Sequence, residues 1–277
     1  MTKLQDKIYI LCLPSSSSNV ICVFEDRNPF SLRQIFKLAE TISPVDIASS
    51  EKDNCLYVSD DGENCVWKIT RETGDQRKII KWLTTDYQPR TMSMTSDGKL
   101  LMVNSSLSIL MIYGSDAKLT QAIQLPREIE DPIHAVETSI GNFIIIHHKW
   151  KCKAADNGEC GSNGRKKEIE WGISEVTKDG DMVIRRFSSS NETHELNEPR
   201  YLSLDSDDQV FVSDEGNHRV ILLDSDLKWN RILCPIREGD ESSIQWPWCL
   251  CYDKEKKQLI VGGYLEEKVN VYTLTRK

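Results

Sequence analysis

Residues 44–69 read PVDIASSEKDNCLYVSDDGENCVWKI, which is three short strand patterns separated by two polar turns. A proline opens this unit, and a proline followed by a strand pattern returns at Pro89, Pro132, Pro199 and Pro247. The steps between successive prolines are 45, 43, 67 and 48 residues. A period of about 45 residues with several strands in each unit predicts a β-propeller, in which every unit is one four-stranded blade.

The length of the chain indicates how many blades close the ring. Its 277 residues hold close to six units of this period, so a single propeller uses the whole sequence. The predicted fold is all-β, a six-bladed propeller of four-stranded antiparallel blades. The predicted blades span about 1–44, 45–90, 91–133, 134–200 (with a loop insertion at 149–170), 201–248 and 249–277. A five-bladed ring is the alternative, and it leaves surplus strands.

The two ends of the sequence are less regular than its middle. The first unit shows three strand patterns, and the spacing places its inner strand before Met1, so the first blade is expected to lack that strand. The last unit also shows three, between Cys249 and Tyr272. Because open sheet edges are a liability, we expect one terminus to complete the blade of the other.

Composition narrows the classes of function. The net charge of −8 disfavours a general polyanion binder, since nucleic-acid affinity rests largely on Lys and Arg. No apolar run approaches the length of a membrane span, and the first residues lack the apolar core of a signal peptide. Several of the nine cysteines fall in apolar strand patterns, which predicts reduced thiols and a cytoplasmic protein. No cofactor, membrane contact or small-molecule substrate is expected.

One unit carries a more specific motif. It reads Pro199-Arg200-Tyr201-Leu202, then Val210-Phe211-Val212-Ser213-Asp214, then Asn217-His218-Arg219-Val220. This unit resembles an NHL repeat, and Tyr57-Val58-Ser59-Asp60 with Asn64 echoes it weakly in the second unit. The resemblance implies a propeller like the C-terminal domain of tripartite-motif proteins, which binds protein or RNA. The RING domain that would carry ubiquitin-ligase activity is not within these residues.

The motif residues themselves have a structural interpretation. An Asp after the second strand can cap the following hairpin through nearby backbone, and Asn tolerates left-handed conformations. We therefore predict turn-forming roles for Asp60, Asn64, Asp214 and Asn217, and an exposed hairpin position for His218.

Catalytic propellers place metal ligands on the inner strands around the channel. The position two residues after each proline holds Asp46, Thr91, His134, Tyr201 and Cys249. A zinc site needs several His, and a calcium site needs several oxygen ligands, so this set predicts neither a metal nor a catalytic site. A propeller hydrolase or lyase is the least favoured function.

The loops between blades are expected to share one face with the turns between second and third strands, and this face is where propellers commonly bind partners. Acidic residues outnumber basic ones in these loops. The candidate anchors for a protein partner are Tyr87, Arg90, Arg200, Trp246 and Trp248, because Trp, Tyr and Arg dominate binding hot spots. Single-stranded RNA is the alternative ligand, and packing of both tryptophans between blades is the structural alternative.

The insertion in the fourth unit is flanked by basic residues. Lys151 lies at its start, and Arg165, Lys166 and Lys167 lie at its end. Its centre is rich in Gly, Asn and Ser. It is either a basic finger that docks on an acidic partner or a solvated loop extension. The favoured function is a non-catalytic protein-interaction module.

Overall fold

The computed structural model describes residues 1–12, 19–25, 31–71, 77–152, 167–187, 194–234, 244–263 and 269–274. These residues form six antiparallel sheets arranged as the blades of a propeller, which confirms the predicted fold class. Six sheets contradict the five-bladed alternative. The inner strands of consecutive blades lie side by side around the ring, and that of the last blade lies beside that of the first.

The strands follow one another in chain order within each blade, from the channel outward. Blade one has β1 (Thr2–Leu4), β2 (Lys7–Cys12), β3 (Val20–Glu25) and β4 (Ser31–Lys37). Blade two has β5 (Pro44–Ser50), β6 (Cys55–Asp60), β7 (Cys65–Arg71) and β8 (Arg77–Thr84). Blade three has β9 (Met92–Met94), β10 (Leu100–Asn104), β11 (Ile109–Tyr113) and β12 (Leu119–Gln124).

The other half of the ring repeats this order. Blade four has β13 (His134–Glu137), β14 (Phe143–Cys152), β15 (Lys167–Val176) and β16 (Val183–Arg186). Blade five has β17 (Pro199–Leu204), β18 (Val210–Asp214), β19 (Arg219–Leu223) and β20 (Trp229–Cys234), with a 3₁₀ turn at Glu215–Asn217. Blade six has β21 (Pro247–Asp253), β22 (Gln258–Gly263) and β23 (Val269–Thr273).

The burial of each strand explains its composition. Every residue of β6, β10 and β18 is buried, because neighbouring blades cover both faces of a second strand. The outer strand β12 is exposed at five of its six positions. Apolar side chains of adjacent blades therefore form shared cores, such as the one that joins β10 and β11 to β14.

The structure corrects two expectations about the ends. Blade one does have an inner strand, β1, which pairs with β2 through a tight turn, so the prediction that this strand is missing was wrong. Each sheet is built from one contiguous stretch of the described chain, so neither terminus completes the blade of the other. The ring closes instead by packing: Lys3 in β1 forms an ion pair of 2.7 Å with Asp253 in β21.

Blade four departs from its neighbours where the sequence predicted a loop insertion. Its strands β14 and β15 pair from Phe143↔Val176 to Cys152↔Lys167, whereas β13 covers β14 only as far as Ile146. The six outer pairs form a two-stranded ribbon, residues 147–152 and 167–172, about 20 Å long. Its base is held in the blade, since His147 is buried and the N–H of His148 donates to the carbonyl of Glu130, and its outer part extends beyond the blade. No helix in the described part of the chain is long and apolar enough to cross a membrane.

Candidate partner-binding face

The turns that follow the second strands hold the segments that enter each blade. Asp60, at the end of β6, accepts a hydrogen bond from the backbone N–H of Ser43 at 3.2 Å. Asp214, at the end of β18, accepts one from the backbone N–H of Asn197 at 2.8 Å. The interblade segments and the turns between second and third strands therefore share one surface, which we call the loop face.

Asp60 organises the turn of blade two as a buried acceptor. Its Oδ1 accepts hydrogen bonds from the backbone N–H groups of Gly62 and Glu63, at 3.1 and 3.2 Å. Its Oδ2 accepts one from the indole N–H of Trp67 at 2.9 Å. Asn64 ends the turn in a left-handed conformation with φ of 48°.

Asp214 plays the same part in blade five with different partners. Its Oδ2 accepts hydrogen bonds from Asn217 Nδ2 at 2.9 Å and from Arg219 Nε at 2.7 Å. Its burial raises the pKa of its carboxyl group. Asn217 lies in this turn, as predicted, but the left-handed residue is His218, with φ of 49°. His218 is half-buried, so its predicted exposure was wrong.

The structure brings Arg200 and Trp248 together across blades five and six. The guanidinium carbon of Arg200 lies 5.2 Å from the centre of the Trp248 ring. Arg200 also donates hydrogen bonds to Glu215 at 2.8 Å and to Glu198 at 3.0 Å. The arginine is thus held between an aromatic ring and two carboxylates.

Trp246 is the most exposed of the predicted aromatic anchors. Its side chain is 45% exposed, and its ring centre lies 5.3 Å from that of His218. It lies two residues from Trp248, which is half-buried. Three predicted residues, Arg200, Trp246 and Trp248, therefore gather on blades five and six beside the NHL-like motif.

The other two predicted anchors lie on a different part of the ring. Tyr87 is half-buried against the core shared by blades two and three, and burial raises the pKa of its hydroxyl. Arg90 is exposed, and its guanidinium donates a hydrogen bond to Gln88 at 3.3 Å. No contact among the described residues joins either side chain to Arg200, Trp246 or Trp248.

A cleft opens between the ribbon of blade four and the loop face of blade five. It has a volume of about 680 Å³ and is lined by Ile169, Trp171, Glu195, Leu196, Asn197, Glu198, Asn217 and Arg219. The register pairs Trp150 with Ile169 and His148 with Trp171, which places these side chains on one face of the ribbon. Trp150, the aromatic side chain of this face that lies farthest along the ribbon, is 52% exposed.

The row of aromatic side chains formed by His148, Trp150 and Trp171 was not predicted, because residues 149–170 were expected to form a loop. The signal in the sequence was the alternation of His148 and Trp150 with Lys149 and Lys151, and the lysines obscured it. Of the basic residues predicted here, Lys151 and Lys167 lie in β14 and β15, where the structure describes only their backbone. Arg165 and Lys166 lie outside the described residues.

Side chains meet across the central channel. The hydroxyl of Tyr201, from blade five, donates to the carboxylate of Asp46 in blade two at 3.3 Å. The ring of Tyr201 lies 4.0 Å from that of His134, whose Nδ1 accepts a hydrogen bond from the backbone N–H of Leu202. Burial raises the pKa of Asp46 to about 6 and lowers that of His134 to about 3.

Most polar atoms of these channel residues are engaged with one another and with backbone, whereas the buried Nε2 of His134 has no hydrogen-bond partner among the described residues. Asp46 accepts further hydrogen bonds from the backbone N–H groups of Ile47 and Met92, both at 2.8 Å. Thr91 donates its hydroxyl hydrogen to the carbonyl of Ile133. Within the part of the chain that the structure describes, no three His, Cys, Asp or Glu residues are grouped to hold a metal ion.

Comparison with known proteins identifies the fold. No protein-family model matches the sequence, and no curated protein matches it. Among solved structures, hydrazine synthase of Kuenenia stuttgartiensis aligns with a TM-score of 0.67 at 13% identity, over 99% of this chain and 94% of that chain. A nidogen/laminin complex gives 0.66 at 16% identity, over 97% and 89%. A gluconolactonase from Xanthomonas campestris gives 0.60 at 12% identity, over 93% and 79%. At these identities the likeness shows the β-propeller fold, which enzymes and a protein–protein complex share.

Proposed function

We propose that this propeller is a non-catalytic protein-interaction module, and that its loop face over blades four to six binds a partner protein. The observation that carries this proposal is a pair of exposed tryptophans next to residues that line the open cleft. Trp150 pairs with the lining residue Ile169, and the ring of Trp246 contacts His218, which lies between the lining residues Asn217 and Arg219. Tryptophan is enriched among the residues that dominate binding energy. Apolar side chains beside a cleft with a polar rim are typical of interaction sites.

The charges around the cleft favour a protein over RNA. Glu195 and Glu198 line the cleft, and Arg219, the one cation among its described lining residues, is held by the buried Asp214. Arg200 is likewise engaged by Glu198 and Glu215. RNA binding needs cations that are available to phosphates, together with aromatic rings on which bases stack. The aromatic rings are present here, but the described arginines beside them are already neutralised.

The channel supports a structural role better than a catalytic one. Asp46 and His134, both buried, form a polar cluster with the half-buried Tyr201, and its hydrogen bonds tie blade five to blades two, three and four. A hydrolase or lyase requires a polar group that can reach a substrate. We therefore propose that these residues hold the blades together.

Two finer parts of the proposal rest on the sequence. The NHL-like motif in blade five supports a propeller of the kind found in tripartite-motif proteins, where such a domain recognises the partner. Cys55, Cys65 and Cys234 are buried thiols, which supports a reducing compartment such as the cytoplasm.

Affinity capture with the purified propeller tests the function. We expect protein partners that survive RNase treatment and whose affinity falls about 30-fold with Trp246→Ala, the loss of about 2 kcal/mol typical of a hot spot. Ile140→Ala is the matched control. Ile140 is also an exposed apolar residue, but it lies in the turn between β13 and β14, away from the loop face.

Two results would contradict the proposal. One is retention of RNA that is released above about 200 mM salt, as phosphate binding would be. The other is a set of partners whose affinities respond equally to the Trp246 and Ile140 variants. Equal melting temperatures of the two variants would show that any difference comes from the surface.

A further inference from the structure

Blade six has an open position where the other blades have a strand. In blades one to five the third strand pairs with a fourth, as β19 does with β20. In blade six, β23 takes the third position, and among the described residues no strand pairs with its outer side. As a result, none of the five residues of β23 is buried, whereas four of the five in β19 are.

A hydrogen bond of Leu274, the residue after β23, shows which backbone groups of β23 face away from β22. The N–H of Leu274 donates to the carbonyl of Lys257 at 3.0 Å, on the side of β22. Because alternate residues of an antiparallel strand direct their N–H and C=O groups to the same edge, Val269, Val271 and Thr273 direct theirs outward. Three N–H groups and three C=O groups therefore form a pairing edge.

A cleft between blades five and six adjoins this edge. It has a volume of about 440 Å³, and Leu222, Tyr252 and Leu274 supply its apolar surface. The rest of its lining is polar and comes from Asp205, Ser206, Asp207, Gln209, Asn230, Arg231 and Lys257. The Nε of Arg231 is buried with no hydrogen-bond partner among the described residues. In blade two, Ile79 of the fourth strand packs into the core shared with blade one. The cleft lies where a fourth strand of blade six would pack similarly against blade five.

We propose that blade six binds an extended segment of a partner protein, which pairs with β23 as a fourth strand and places alternate apolar side chains in this cleft. The five complete blades indicate the chemistry of the occupant, since each holds a β-strand at the equivalent position. Strand addition to an exposed edge obtains affinity from backbone hydrogen bonds and specificity from pockets for alternate side chains. This site lies on the outer rim and does not depend on the loop face.

The test uses short linear peptides displayed on phage and selected on the intact propeller, then synthesised. Val271→Pro removes an outward N–H and places a ring on the edge, while the hydrogen bonds to β22 stay intact. Val271→Thr keeps the N–H and the β-branched shape and is the matched control. We expect peptides with alternating apolar residues whose affinity falls about tenfold or more with Val271→Pro, from lost backbone hydrogen bonds. Affinity should stay unchanged with Val271→Thr and with Trp246→Ala.

Hydrogen exchange on the unmodified protein gives an independent readout, because it requires no variant to fold. Binding should slow exchange at the amides of Val269, Val271 and Thr273. Unchanged exchange there, or peptides that bind Val271→Pro normally, would overturn the proposal. A dimer of the unmodified protein that Val271→Pro converts to monomers would show a second copy as the occupant and would overturn the partner that we propose. If peptides bind in a way that depends on the edge of β23 while no protein binds the loop face, this proposal stands and the proposed function of the loop face fails.

Discussion

Asp46 is a buried carboxylate whose contacts are structural, because they join blades to one another. It occupies an inner strand, where its carboxylate accepts backbone hydrogen bonds from its own blade and from Met92 of the next. Tyr201 reaches it from the far side of the channel. Burial raises its pKa from 3.8 to about 6, since the charged form loses its hydration.

This pKa predicts how stability depends on pH. Between about pH 4 and 6 the folded state keeps a proton on Asp46 that the unfolded state has lost, so the contribution of Asp46 is full below about pH 4 and falls as the pH rises to 6. The shift of about two units corresponds to about 3 kcal/mol. The unfolding free energy of the natural protein minus that of Asp46→Asn should therefore fall by this amount across the window. Urea titrations at several pH values measure it.

The two unfolding free energies must be subtracted because the titration of His134 changes stability with pH in the opposite direction. Burial lowers its pKa from 6.5 to about 3, so its contribution is full above about pH 6.5 and is lost as the pH falls toward 3. The curve of the protein alone therefore combines both effects. A difference curve that stays flat between pH 4 and 6 would contradict the assignment to Asp46.

Single residues were predictable where local chemistry fixes them. The roles of Asp60 and Asn64 follow from turn preferences, and the structure places both in the turn of blade two. The pairing of Arg200 with Glu215 and Trp248 could not be foreseen. These partners are 15 and 48 residues away along the chain, and only the geometry of neighbouring blades brings them together.

At the scale of elements, the packing of adjacent blades depends on turns that leave no space for a side chain. Gly180 lies in the turn between β15 and β16 with φ of +81°, and a Cβ there would come within 2.5 Å of the backbone oxygen of Gln124 in β12. A backbone atom cannot move aside as a flexible side chain can. This glycine therefore lets blade four pack against blade three.

Gly180→Ala should lower the free energy of unfolding by about 3 kcal/mol, the sum of a left-handed backbone cost and of overpacking. Gly141→Ala is the matched control, because Gly141 has φ of +84° and nothing within 4 Å of its added Cβ. That variant should lose about 1 kcal/mol from the backbone cost alone. Urea unfolding of both variants measures the difference, and equal losses would show that the blade contact contributes nothing.

Elements were predictable where they repeat and missed where they are short or charged. The apolar runs of β6, β10 and β18 predict second strands that are covered on both faces. The strand β1 has three residues and lacks a glycine or asparagine in its turn, so no pattern separated it from β2. The ribbon was missed because a lysine alternates with its aromatic residues.

At the scale of the whole molecule, the period in the sequence predicted the number of blades but not how the ring closes. The ends are joined through side chains: Met1, Ile8 and Ile10 of blade one pack with Ile260 of blade six. A sequence does not show such a contact, since its partners lie about 250 residues apart. Blade six has three strands among the described residues, so the outer side of its third strand is an open edge.

The ion pair between Lys3 and Asp253 should contribute strongly to this closure. Its side chains are 13% and 1% exposed, so Lys3→Met leaves a buried carboxylate without its cation and should lower the free energy of unfolding by about 3 kcal/mol. Lys118→Met is the matched control, since its pair with Asp116 is exposed and lies within one blade; it should change stability by less than about 0.5 kcal/mol. Urea unfolding at neutral pH measures both. If the two variants lose equal stability, the apolar cluster alone closes the ring.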